Sequence, residues 1–150
     1  MKKFKFSMQS ILNVNQTMKE VRQGELAEAR YLLEQEEEKL KRIRMMTLEA
    51  MDPGKLKDNC SGAYLLQRER YIKKLKDDYK AQLYLVREAE TKVEQAVKRL
   101  QEATVELRKM EKVKGREHEN WNLEFRRDEQ KINDEIGSTK AFFNKAATVY

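Results

Sequence analysis

Between residues 72 and 110, core-type side chains recur alternately three and four apart: Ile72, Leu75, Tyr79, Gln82, Val86, Ala89, Val93, Ala96, Leu100, Ala103, Leu107 and Met110. Only Gln82 in this series is polar. Such spacing keeps every member on one face of an α-helix, and sustained over five repeats it is a heptad seam. One class of seam position holds Val86, Val93, Leu100 and Leu107. The other holds Ala89, Ala96 and Ala103, small residues that let a second helix approach closely.

A second periodic segment precedes it. Ile11, Val14, Met18 and Val21 step by three, four and three, and Leu26, Ala29, Leu33, Leu40 and Ile43 form a further set. The step of five from Val21 to Leu26 shifts the phase beside Gly24. No other turn signal occurs there, so one helix with an irregular seam is expected. Ser7 suits the N-cap, with Phe6 and Ile11 at the two positions of a hydrophobic staple. The only proline stands in Asp52-Pro53-Gly54, and Asn59, Ser61 and Gly62 follow. Proline removes a backbone donor and restricts its predecessor, so the first helix should end there.

These signals predict an all-α fold: an elongated antiparallel two-helix coiled coil, or helical hairpin, with a longer second helix. The expected organisation is a single domain over 1–150. Helix one covers about 7–51, the loop about 52–62, helix two about 63–136, and a fraying tail 137–150. A turn near residue 57 would set Ile11 beside residue 103. Past Met110, Lys114 and Glu117 interrupt the seam, and Trp121, Phe125, Ile132 and Ile136 resume in what reads as a shifted frame. The stretch from about 110 to 136 would then lack an internal partner. Gly137 suits a C-terminal stop.

Composition agrees with helix and argues against a compact globule. Charged residues make up 39% of the 150, whereas glycine and proline number five and one. A mean hydropathy of -0.93 would equally suit a disordered chain, and the periodicity decides for helix. The net charge is +6, yet both signs are mixed in every third of the sequence, which disfavours dedicated nucleic-acid binding. The start, Met1-Lys2-Lys3-Phe4-Lys5-Phe6, lacks the apolar stretch of a signal peptide. Its two phenylalanines are too few for stable lipid anchoring. No run approaches the length of a membrane span, and a cytoplasmic location is expected.

Candidate chemistry is sparse. His118 is the only histidine and Cys60 the only cysteine, so a histidine-rich metal site and an internal disulfide are ruled out, and His118 on an exposed helix reads as a surface residue. No glycine-rich phosphate loop occurs. Glu34 to Glu38 and Asp77-Asp78 read as solvated helix faces and lack calcium-loop spacing. No cofactor, metal or catalytic residue is expected, and enzymatic function is disfavoured. Tyr79 lies on the seam and suits the core. Tyr64 and Tyr71 lie off it, where core and interface are equally open. Met45, Met46 and Met51 either cap the core or offer an adaptable surface.

The opening Phe4-Lys5-Phe6-Ser7-Met8-Gln9-Ser10-Ile11-Leu12-Asn13-Val14 resembles the start of the FliJ family, soluble components of the bacterial flagellar type III export apparatus. Met8 stands where those proteins commonly carry leucine. Length, charged two-helix organisation and the mid-chain break extend the similarity over nearly the whole chain. The resemblance implies a non-enzymatic stalk that inserts into the ring of the export ATPase (FliI). It also implies contact with the export gate protein FlhA and handling of export chaperones. Membrane association would arise only indirectly, through the gate. The stretch Arg70-Tyr71-Ile72-Lys73-Lys74-Leu75 is similar to the family's gate-contacting segment, which makes Tyr71, Leu75 and Gln82 candidate contacts. The length mismatch assigns Trp121 and Phe125 to the ATPase side. The rival reading is a passive coiled-coil scaffold that self-associates through the same heptads.

Overall fold

The computed structural model describes residues 3–56, 59 and 61–147. Expectations for Lys2, Cys60 and the last residues, Thr148 to Tyr150, fall outside the described residues. The fold is all-α: α1 (Gln9–Met51), a single 3-10 turn (Pro53–Lys55) and α2 (Gly62–Ala147), the two long helices packing together.

The turn follows from its sequence. Asp52 accepts from the Gly54 amide at 3.0 Å, and Pro53, lacking an amide hydrogen, occupies the first position where none is needed. Ser61 then caps α2, its Oγ accepting from the Tyr64 amide at 3.2 Å. Arg68 of α2 donates to the Ala50 carbonyl at 3.0 Å, satisfying one of the carbonyls that the end of α1 leaves without a helical partner.

Contacts divide the chain into two units, residues 18–104 and residues 1–17 with 105–150. In the first, α1 and α2 run antiparallel. Ile72, Leu75, Gln82, Val86, Ala89 and Ala96 are buried, and Tyr79, Val93, Leu100 and Ala103 are half-buried. They face Leu26, Ala29, Leu33, Leu40 and Ile43 of α1, all buried or half-buried. Gln82 meets Glu36 and Arg68 meets Ala50, and both pairs are centred near residue 59 rather than 57.

That register corrects the reading of early α1. The inward positions are Leu12, Asn15, Lys19, Arg22 and Leu26, an unbroken alternation of three and four with no phase shift at Gly24. Ile11, Val14, Met18 and Val21 instead lie on the outward side and are exposed. Leu12, not Ile11, is the buried neighbour of Leu107. Polar side chains occupy the seam because their aliphatic stems cover apolar neighbours while their heads reach water. Arg22 illustrates this, its guanidinium pairing with Glu25 at 2.8 Å.

The second unit has a core of Phe6, Leu12 and Leu107, with Phe4, Met110 and Val113 against it. Helix α1 begins at Gln9, two residues later than expected, and Ser7 does not cap it. The Gln9 amide bonds to the Phe6 carbonyl at 3.3 Å. In place of a Phe6–Ile11 staple, Phe6 packs with Leu12 and Leu107, and Ile11 is exposed. Helix α2 also continues past the expected stop at 136 to Ala147. Gly137 has a negative φ and open space around it, so nothing enforces a left-handed cap there.

Gly24 likewise sits in mid-helix with no atom within 4 Å of a would-be Cβ. Gly24→Ala should therefore stabilise the chain by about 1 kcal/mol. Thermal denaturation followed by circular dichroism checks this.

Candidate partner-binding site

In the larger unit, the candidates near the turn separate by depth. Tyr71 precedes the buried Ile72 by one residue, which turns it outward, and it is 45% exposed. Leu75 is 4% exposed, a member of the core. Gln82 is 8% exposed and donates from Nε2 to the Glu36 carbonyl at 3.0 Å and to the Glu36 carboxylate. A buried amide so satisfied fixes which residues of the two helices stand opposite, since any slip strands its donor.

Glu36 is held below its ordinary carboxylate pKa. The Lys39 ammonium donating at 2.9 Å is the larger cause, and the Gln82 amide the next. Because the folded value lies below the unfolded one, this pairing stabilises the chain above the unfolded value. It is lost as pH falls through the folded one. Glu36→Gln should accordingly lose less stability on acidification than the parent chain, measured as thermal melts at about pH 7 and about pH 3.

Close by, Arg44, Thr47, Leu48, Lys76, Tyr79 and Lys80 line an open groove of about 580 Å³. Arg44, Lys76 and Lys80 make no ion pair with a described residue. The apolar pattern alone gave no sign of this groove. It could have been found by asking which cations flank the seam at Tyr79.

In the other unit, Phe4 meets His118 edge-on at 4.9 Å between ring centroids and lies 6.1 Å from Trp121. Trp121 stacks on Phe125 at 5.2 Å, and both are half-buried. Lys114 donates to Gln9 at 3.1 Å. Residues 110–121 of α2 therefore do have an internal partner, the non-helical arm ahead of α1. Such an arm advances up to about 3.3 Å per residue, against 1.5 Å along a helix. A few arm residues thus cover a longer stretch of α2. Lys114, Glu117 and Trp121 keep the heptad frame, so Trp121 is not shifted; polarity, not phase, masks the seam there. From Arg126 to Ala147 every described residue is exposed, including Ile132, Ile136, Phe142 and Phe143.

Among the described residues no group of three His, Cys, Asp or Glu is placed to hold a metal ion. No described helix is long and apolar enough to cross a membrane. No curated protein and no solved structure matches the chain. A profile described as the flagellar FliJ protein matches residues 4–146, nearly the full length and both units. The chain thus belongs to the flagellar FliJ family, a non-enzymatic family with a role in flagellar protein export.

Proposed function

We propose that this chain is a stalk or adaptor of the flagellar type III export apparatus, linking the export ATPase ring to the export gate protein and assisting export chaperones. The supporting observation is that the heptad seam is used up within the chain. Seam positions of α2 are buried or half-buried in both units, which leaves the self-associating scaffold no face in that seam. What remains exposed is distinct in kind: Tyr71 and cations with no ion pair among the described residues in one unit, and an uncovered helix carrying Ile132, Ile136 and Phe143 in the other.

On this reading the residues about Trp121 and Phe125, with the helix that follows, serve the ATPase ring. Tyr71 serves the gate, while Leu75 and Gln82 hold the surface behind it. Association with the inner membrane then follows from the gate. Photo-crosslinkers placed at Tyr71 and next to Trp121 test the assignment. Adducts to the gate protein from position 71 and to the ATPase from position 121 support it. Ring adducts from position 71 alone reverse it, and recovery of neither partner from flagellated cells removes it.

A further inference from the structure

The net charge of this protein is local. Between Lys39 and Lys80 twelve basic side chains stand against six acidic ones, an excess equal to the +6 of the whole chain. The rest of the sequence is balanced. Within the same interval lie the turn-facing ends of both helices, and both carry exposed apolar side chains among polar ones. Met45, Met46, Leu48 and Met51 close α1, and Tyr64, Leu65 and Leu66 open α2; all are exposed.

Their arrangement discriminates between kinds of partner. Tyr64, Leu65 and Leu66 are consecutive, and at 3.6 residues per turn they sweep about 200° of the helix circumference. Met45, Met46, Leu48 and Met51 similarly reach around α1. A helix laid in a groove, or a flat protein surface, covers one face of such an end and leaves the others wet. A fluid interface closes around all of them. On α2 the cations stand just behind Leu66: level with Leu48 and Met45 of α1 in the Gln82–Glu36 register, Arg70, Lys73 and Lys74 follow it by four to eight residues, or about 6–12 Å along the helix. That is on the scale of the 5–10 Å to which an apolar face sinks at a headgroup boundary. The groove of Arg44, Lys76 and Lys80 lies farther from the turn, Lys76 and Lys80 following Leu66 by ten and fourteen residues, or about 15–21 Å. Glu49, Asp52, Glu69, Asp77 and Asp78 oppose the field among the described residues; Glu49 lies 4.0 Å from Lys55, and Asp52 accepts from the Gly54 amide.

We propose that the turn end of this hairpin docks directly onto an anionic phospholipid bilayer, its Met/Leu/Tyr tip entering the headgroup region and its Lys/Arg collar pairing with lipid phosphates. This contact is direct, where family resemblance implies membrane contact only through the gate, and it does not depend on the stalk reading. Apolar insertion and charge each bind weakly alone, and together they give stable attachment.

Flotation of the full chain with vesicles decides it. Phosphatidylcholine vesicles with about 30% phosphatidylglycerol should carry the protein at low salt, and pure phosphatidylcholine vesicles should not. Binding should weaken as salt rises. Lys73→Glu with Lys74→Glu should lower partitioning at least about tenfold, and Leu65→Ser with Leu66→Ser about tenfold. Lys140→Glu with Lys145→Glu, an equal charge change elsewhere, should leave it within about twofold. The substituted side chains are exposed, and unchanged circular dichroism confirms that each variant folds. Absence of flotation, equal binding to neutral vesicles, or equal loss in the Lys140/Lys145 variant overturns the proposal. Capture on an immobilised acidic helical peptide without flotation also overturns it and reassigns the collar to an acidic protein segment. Failure to recover the export ATPase or gate protein, with flotation intact, removes the stalk reading alone.

Discussion

Leu75→Ala is expected to destabilise the chain by about 2–4 kcal/mol, the cost of deleting a buried aliphatic side chain and leaving part of the cavity open. Leu75 is 4% exposed and belongs to a seam only two helices thick. With no further layer to collapse inward, the larger figure is favoured. Tyr71→Ala, four residues away, should change stability by no more than about 0.5 kcal/mol. Family resemblance puts both residues at the gate, and the structure gives them different burial. Gate binding at a temperature where both variants remain folded should fall about tenfold or more for Tyr71→Ala. For Leu75→Ala it should fall only in proportion to the unfolded fraction. Chemical denaturation and a binding titration with the purified gate domain check the pair. A stable Leu75→Ala variant that fails to bind would make Leu75 a surface contact and contradict its burial.

The second large effect is expected at Phe6→Ala. Phe6 is buried with Leu12 and Leu107, and its arm carries Phe4 onto His118 and Trp121. Loss of the ring should cost about 3 kcal/mol locally, enough to release an arm held by few other contacts. Trp121 is the only tryptophan, so its fluorescence reports the event without interference. Emission should shift to the red, and amide hydrogen exchange should rise over residues 105–121 and little over 18–104. Unchanged emission would show that the arm is held by something other than Phe6.

The sequence was most legible where polarity and periodicity agree. The α2 seam from Ile72 to Met110 could be read residue by residue, because its inward positions are almost all apolar. Early α1 was not legible by the same rule. Its inward positions Asn15, Lys19 and Arg22 are polar, while Ile11, Val14, Met18 and Val21 form a tidier apolar stripe that faces outward. Stepping back by four and three from Leu26 would have reached Leu12 through those polar residues. A strict heptad frame was the better guide there than hydrophobicity. The same holds for Lys114 and Glu117, which mask the frame that carries Trp121. Gly137 invited a stop that the surrounding helix formers override, since a glycine in mid-helix costs only about 1 kcal/mol. The arm from Phe4 to Phe6 has no periodicity, so its docking could not be read from pattern. Tyr71 and Leu75 could be named as candidates from a motif, but burial alone separates their roles. The charge excess around the turn is hidden when the chain is cut into thirds and emerges once the turn fixes which residues are neighbours.

The whole account rests on α2 being paired with α1 of its own chain. Crosslinking mass spectrometry on an equal mixture of ¹⁵N-labelled and unlabelled protein, mixed after folding and again after joint refolding, tests this directly. Lysine crosslinks such as Lys39 to Lys80 and Lys19 to Lys98 should join peptides of one isotope only, in both mixtures. Crosslinks between labelled and unlabelled peptides at those positions after refolding would mean that the seam zips separate chains together.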